Sequence, residues 1–217
     1  MRNNSRTLFI TQFSALLAIE IIFCFTPLGS LPAFGPIVAT LGMIPVVITS
    51  ILLGTKPGTV MGALTGLFSF IVWTFMPPSP LVAFVFSPFH SFGEISGGIG
   101  SLLICFVPRT LVGTVAGLTY TSLSKAIEGK RVLRISISAA AGSMTNTLGV
   151  MGGIWLFFGE QYSSIAGSTM LIIVGTTILM SGIPEALASL VISSAVCEPL
   201  LTIFSRREAE APANEKD

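Results

Sequence analysis

The amino-acid sequence predicts an all-α integral membrane protein, a single six-transmembrane-helix bundle with both termini cytoplasmic. Three observations lead there. Of the 217 residues, 52% are hydrophobic and only 10% charged, and the mean hydropathy is +0.87, far from the composition of a soluble domain. Apolar runs long enough for a bilayer, about 20 residues each, recur along nearly the whole chain. Ten of the eleven Lys and Arg residues fall at the termini or in alternate links between those runs, the distribution expected when positive charge stays inside.

The first span, Thr7 to Phe25, follows Arg2 and Arg6. It is too long for a secretory signal and has no small-residue cleavage site after it, so it counts as a helix of the bundle. The second, Ile37 to Leu53, and the third, Gly58 to Phe75, are joined by a link containing Lys56. The fourth, Ile99 to Leu123, and the fifth, Val132 to Phe158, are joined through Lys125, Lys130, Arg131 and Arg134. The remaining links, Thr26 to Pro36, Met76 to Gly98 and Gly159 to Gly167, contain Glu94 and Glu160 but no Lys or Arg. They are therefore expected outside. The stretch Ala166 to Phe204 is too long for one ordinary span, and the basic pair Arg206 and Arg207 leaves no room for a seventh. Within it, Ser181-Gly182-Ile183-Pro184-Glu185 has the form of a helix start, with Pro184 in the first turn and Glu185 near the N-terminal dipole. The sixth span is placed from Ile183 to Phe204, with Gly167 to Met180 as an outer cap or a kinked extension. Residues 1–205 then form the membrane domain and 206–217 a polar cytoplasmic tail.

Arg109 is the basic residue that falls inside a span. It lies 16 residues before Lys125, roughly 24 Å at helical rise, hence in the outer part of the bilayer. A charge at that depth pairs with another charge or lines a watery cavity. Its planar fork of donors suits the carboxylate of a bound acidic solute; a structural ion pair with Glu20 or Glu185 is the other reading. Asn146, in Ser143-Met144-Thr145-Asn146-Thr147, interrupts the fifth span at a similar depth. It could read a solute's hydroxyl or amide groups, or bond to neighbouring helices. Small residues at helical spacing, Gly58-Gly62-Gly66, Gly113-Gly117 and Gly149-Gly153, let backbones approach closely. Ser14 and Ala18 offer a milder version, for packing or for docking another membrane subunit. The long link Met76 to Gly98 carries Phe84, Phe86, Phe89 and Phe92 around His90, and is read as a lid in preference to a membrane-surface segment.

Other chemistry is not indicated. One histidine and three scattered cysteines, Cys24, Cys105 and Cys197, give no metal-ligand spacing and no obvious disulfide. No phosphate loop, zinc-protease motif or serine elbow occurs, and the short cytoplasmic links have no room for a nucleotide-binding domain. No cofactor, catalytic residue, metal or nucleic-acid partner is expected, and any uphill transport must be driven by an ion or by partner subunits.

Several segments carry a family resemblance: Thr26-Pro27-Leu28-Gly29, Ala39-Thr40 through Ile44-Pro45-Val46-Val47-Ile48 to Leu52-Leu53-Gly54-Thr55-Lys56-Pro57-Gly58, Phe86-Ser87-Pro88-Phe89, Cys105-Phe106-Val107-Pro108-Arg109, Met144-Thr145-Asn146-Thr147 and Gly182-Ile183-Pro184-Glu185. From the first span to Pro199 the chain resembles the S components of energy-coupling factor (ECF) vitamin transporters. The Val-Pro-Arg, Met-Thr-Asn-Thr and Gly-Ile-Pro-Glu segments are most similar to the pantothenate-specific members. The resemblance implies a multi-pass protein of a bacterial cell membrane that captures its vitamin near the outer face. It also implies a partner module of one transmembrane coupling subunit and two ATPase subunits. In the family a small-residue motif on the first helix contacts the coupling subunit; Ser14 and Ala18 match it loosely. Where many relatives have His before the Ile-Pro of the second span, this chain has Met43.

Pantothenate, a small carboxylate with hydroxyls and an amide, fits a cation beside hydrogen-bonding side chains. The substrate-binding candidates are Arg109, Asn146, Thr145, Phe106, Gly149 and Phe89. Riboflavin has no carboxylate for Arg109 and thiamine is a cation, whereas biotin and folate carry carboxylates and stay open. Riboflavin, folate, biotin and cobalamin S components are thus alternatives within the class. Outside it stands a self-sufficient ion-coupled carrier using Glu185 or Glu20 as its proton site; an intramembrane enzyme lacks a nucleophile and base.

Overall fold

The computed structural model describes residues 2–29, 41–127 and 129–210. Its helices are α1 (Arg2–Phe25), α2 (Met43–Leu52), α3 (Thr55–Phe75), α4 (Ile99–Ala126), α5 (Arg131–Ala166), α6 (Met170–Thr177) and α7 (Ile183–Glu210). Four helical stretches are long and apolar enough to cross a membrane: Arg6–Phe25, Thr55–Phe75, Ile99–Ala126 and Met170–Ser205. The described residues thus hold seven α-helices where six spans are predicted, and the differences have local causes.

The predicted second span begins at Ile37, outside the described residues as far as Thr40; its described helix is only the 10 residues of α2. Every residue from Met43 to Ile51 is buried, as befits a helix apolar all round and enclosed by its neighbours. Its polar side chains are satisfied internally. Thr49 Oγ1 donates to the Pro45 carbonyl at 2.7 Å, and Ser50 Oγ reaches the Gly113 carbonyl at 2.8 Å. Gly54, at φ 103°, a value open to glycine, turns the chain into α3.

At the other end of the sequence, α7 does begin at Ile183, within the expected start signal Ser181 to Glu185, but no break in the helix precedes it. Residues Ile178–Gly182 form a π-helical turn that carries α6 straight into α7. The segment before Ile183 is therefore an extension, and α7 runs five residues past the expected boundary at 205; residues 211–217 of the predicted tail lie outside the described residues. The fifth helix does break at Phe158, where non-helical dihedrals (φ −136°, ψ 19°) mark a kink, and a further helical stretch carries α5 on to Ala166.

Close backbone approach sets the packing of α3, α4 and α5. A β-carbon at Gly62 would collide with the Arg109 carbonyl, and one at Gly113 with the Gly58 carbonyl. On the other side of α4, Gly149 faces Pro108 and a β-carbon at Gly153 would come within 2.7 Å of Ile104. Packing is thus what the three glycine motifs do.

The link between α3 and α4 folds inward. A 3-10 turn, Pro80–Val85, buries Val82, Ala83, Phe84 and Val85, and a small hairpin pairs Ser91–Phe92 with Ile95–Ser96. Phe84 meets Phe158 edge-on at 5.4 Å, and its carbonyl accepts from Ser101 Oγ at 2.6 Å. His90 Nε2 lies 2.9 Å from the Thr74 carbonyl.

Two apolar cores result. One joins Met43, Val46, Val47, Ile51, Met61, Val112, Ala116, Ile135, Ala139 and Cys197. The other gathers the link residues with Ile104, Met151, Ile154, Phe158, Met170 and Ile173. The end beyond the first core is basic, with Arg131 bonded to Thr202 at 3.1 Å and Arg134 over the Tyr120 ring at 5.5 Å. The inward-folding link closes the opposite end.

Candidate functional site

Between the two cores lies a polar layer, and its position follows helix by helix from the chain. On α4, Arg109 falls between Ile104 of the link-end core and Val112 of the basic-end core. On α5, Ser143, Asn146 and Thr147 fall between Ala139 and Val150; along the last rod Glu185 falls between Ile173 and Cys197. Thr65 on α3 lies between Met61 and Trp73, and Glu20 on α1 is fully buried beyond Phe13, Leu16 and Leu17. Arg109, Asn146, Glu20 and Glu185 are all at least nine-tenths buried.

The guanidinium of Arg109 is held by backbone and by an aromatic ring. Pro108 has no N–H, so the Ile104 carbonyl one turn back loses its helical partner. Arg109 Nη1 donates to that carbonyl at 2.7 Å. The face of Phe86 lies 5.3 Å from the guanidinium carbon, and Phe86 itself stacks on Trp73 at 4.5 Å. Nε of Arg109 has no partner.

Neither of the expected carboxylates forms a close ion pair with it. Among the described residues the one ion pair within 4.0 Å is Arg131 with Glu198, at 3.9 Å. The charges of Glu185 and Arg109 are near enough to interact, but Glu185 Oε1 is without a hydrogen-bond partner. Glu20 is anchored through Oε1, which accepts from Thr65 Oγ1 at 2.7 Å and from Cys24 Sγ at 3.2 Å, while its Oε2 is unpartnered. Asn146 Oδ1 is unpartnered too. The layer therefore contains a buried cation, two buried carboxyl groups and a buried amide, each with an unsatisfied atom, a costly arrangement for a purely structural core. A cavity of about 90 Å³ adjoins it, lined by Cys24, Gly42, Thr65, Ser69 and Trp73 among others.

The sequence-predicted site residues are only partly brought together. Arg109 and Asn146 share the buried layer. Thr145, next to Asn146, is half-buried and its hydroxyl is spent on the Ala141 carbonyl at 2.7 Å. Gly149 contributes a close fit against Pro108. Phe106 and Phe89 each lie 6.2 Å from the ring of Phe70, and Phe89 is 76% exposed. Phe86, not Phe89, is the ring against the guanidinium. Glu20 and Glu185, read from sequence as structural partners of Arg109 or as proton sites, are in the same layer as Arg109 and Asn146. Their signal was available: single carboxylates inside apolar runs. Ser14 and Ala18 occupy the outward face of α1, both exposed, opposite Phe13, Leu16, Leu17 and Glu20.

Comparison with known proteins gives the family and the fold. A family model described as "ECF transporter, substrate-specific component" matches residues 8–197. The pantothenic acid transporter PanT of Lactococcus lactis subsp. cremoris is 33% identical over 168 residues, covering 77% of this chain and 79% of PanT. Among solved structures, ThiT from Listeria monocytogenes superposes with a TM-score of 0.58 at 16% identity, over 92% of this chain and 98% of ThiT. The S component for biotin from an ECF-type ABC transporter gives 0.53 at 18% identity, over 91% and 95% of the two chains; at such identities these two likenesses speak for the fold. The family is one of transport subunits and not of enzymes, and this chain belongs to it: it is a substrate-specific component of an ECF transporter.

Proposed function

We propose that this chain is a high-affinity pantothenate-binding subunit that takes the vitamin at the outer face of a bacterial cell membrane. It would pass the vitamin on through an ATP-driven module of one transmembrane coupling subunit and two ATPase subunits. The observation that carries the reading is Arg109, a buried guanidinium held by a carbonyl and a phenyl ring, with Nε unpartnered and, among the described residues, no carboxylate within ion-pair distance. A carboxylate ligand supplies what such a group lacks, and in a low-dielectric layer the charge-assisted pair is strong.

Pantothenate also brings two hydroxyls and an amide to a layer that includes Asn146, Glu20 and Glu185. The similarity to a pantothenic acid transporter over more than three quarters of both chains points to the same substrate class. In this reading the basic end is cytoplasmic, by the distribution of Lys and Arg, and the inward-folding link faces outside above the polar layer. No phosphate-loop motif occurs in the sequence, and in this reading capture and transport are separate tasks.

Calorimetry on the purified chain tests this directly. Pantothenate is expected to bind with one site per chain, and biotin, folate and riboflavin to bind far more weakly or not at all. Vesicles containing the chain alone are expected to show no uptake. Uptake driven in such vesicles by a proton or sodium gradient would overturn the reading in favour of an autonomous carrier.

A further inference from the structure

Resting on that reading, we propose that Glu185 is a specificity-determining residue, whose carboxylate accepts hydrogen bonds from the hydroxyl groups of a ligand seated with its own carboxylate on Arg109.

The unpartnered atoms of the buried layer differ in kind. Arg109 Nε can only donate, whereas Asn146 Oδ1 can only accept, and the oxygens Glu20 Oε2 and Glu185 Oε1 accept when ionised. A bare carboxylate would satisfy the arginine and leave both glutamate oxygens stranded, adding a third negative charge. A ligand with hydroxyl donors at one end and a carboxylate at the other satisfies both sets. Stranding a buried acceptor costs more than an average hydrogen bond gains, so a site built this way discriminates strongly against a ligand lacking the donors.

Local geometry favours Glu185 over Glu20 for this role. Glu20 is tied through Oε1 to Thr65 and Cys24, whereas the charge of Glu185 interacts with that of Arg109 itself. Glu185 follows the π turn Ile178–Gly182, a feature frequent at functional sites. At the end of that turn Gly182 lies against the side chain of Thr147, where a β-carbon would come within 3.0 Å. The contact draws the start of α7 onto α5 beside Asn146. Ile183 and Pro184 face outward and Glu185 is only 5% exposed, so the turn aims the carboxylate into the layer.

The test is a cycle of two proteins and two ligands, read by calorimetry with melting temperature as the control for folding. Wild type and Glu185→Leu are titrated with pantothenate and with its analogue lacking both hydroxyls. Removing the hydroxyls should weaken binding to wild type by roughly tenfold to hundredfold, the range for a hydrogen bond to a charged group. Glu185→Leu should lose a similar factor toward pantothenate and bind the dehydroxylated analogue as well as wild type does. Glu185→Gln, nearly isosteric and retaining an acceptor oxygen, should fall between, and it carries the test if the leucine variant does not fold. Equal losses toward both ligands, or undiminished pantothenate binding by the variants, overturn the assignment. Folded wild type that binds the dehydroxylated analogue as well as pantothenate does so too, while leaving the carboxylate site on Arg109 intact. Folded wild type that binds neither overturns the functional reading itself.

Discussion

Arg109 Nη1 donates to the Ile104 carbonyl at 2.7 Å, the one carbonyl of α4 that Pro108 deprives of its helical N–H. A helix-breaking residue and a buried cation, adjacent in the chain, thus solve each other's problem: the arginine caps the orphan carbonyl, and the carbonyl fixes the arginine. The anchor is neutral, so the positive charge stays uncompensated by direct contact. Pro108→Ala would supply the missing N–H and compete for the same carbonyl. We expect unchanged or higher melting temperature, since proline inside a helix is worth up to about 3 kcal/mol less than alanine, together with weaker pantothenate binding. Calorimetry and detergent melting on this variant measure both; unchanged affinity would mean that the carbonyl does not position the guanidinium.

Replacement of the arginine itself separates binding from folding. Arg109→Ala should weaken pantothenate binding by about 2 to 5 kcal/mol, as when one member of a buried charge pair is truncated. Because no ion pair to Glu20 or Glu185 is broken, the loss of stability should stay at about 1 to 3 kcal/mol, the cost of leaving the Ile104 carbonyl without a donor. Arg109→Lys should recover only part of the affinity, a point ammonium being unable to donate as a fork. A large fall in melting temperature with affinity intact would assign the residue to structure.

The glycine seam between α3 and α4 predicts a sharp contrast between positions. A side chain at Gly113 would push the Gly58 backbone away, and one at Gly152 meets nothing within 4 Å. Gly113→Val should destabilise by at least the roughly 1 to 3 kcal/mol typical of overpacking, and Gly152→Ala should stay within about 0.5 kcal/mol. Thermal melting of the two purified variants decides the matter.

What the sequence made legible was whatever depends on local composition. The apolar runs located α1, α3, α4 and α5 to within a few residues at most of their ends, and Arg109 stood out because one cation among apolar neighbours needs a reason. What local composition left open has a different cause. Pro184 and Glu185 do form a good helix-start signal, but α6 approaches in line, and a π turn absorbs the mismatch without breaking the rod. For α2 the described helix is the 10 residues Met43–Leu52, and the expected start at Ile37 lies outside the described residues. Phe89 and Phe86 are indistinguishable in a string of phenylalanines; the 3-10 turn Pro80–Val85 decides which ring faces inward, and that depends on packing against Trp73 and Phe158. Glu20 and Glu185 were visible as carboxylates inside apolar runs, but only three-dimensional placement shows that one oxygen of each is left without a hydrogen bond and that neither closes an ion pair with Arg109.

Those two phenylalanines give a direct test of the inward-folding link. Phe86 is 2% exposed between Trp73 and Arg109, and Phe89 is 76% exposed. Phe86→Ala should cost about 3 to 5 kcal/mol of stability as a buried aromatic truncation, and weaken ligand binding by loosening the face on which the guanidinium rests, a contact worth about 0.5 to 2 kcal/mol. Phe86→Leu should keep much of the stability but not the cation–π contact. Phe89→Ala should be close to neutral in both measurements. Equal effects at the two positions would mean that the link does not close over the site as described.

The outward face of α1 carries the prediction for coupling. Ser14 and Ala18 are exposed, one helical turn apart, while Phe13, Leu16, Leu17 and Glu20 hold the opposite face to the bundle. A surface of small residues allows another membrane helix to approach backbone to backbone, where dispersion and weak hydrogen bonds act at short range. If that face docks the coupling subunit, Ala18→Trp should bind pantothenate with wild-type affinity, because the substitution points away from the polar layer. The same variant should fail to co-purify with the ATPase-bearing module and should lose ATP-driven uptake in vesicles. A reduced affinity would place the effect in the bundle interior through Glu20, two residues on. Normal uptake at the wild-type rate would show that the docking face lies elsewhere on the helices.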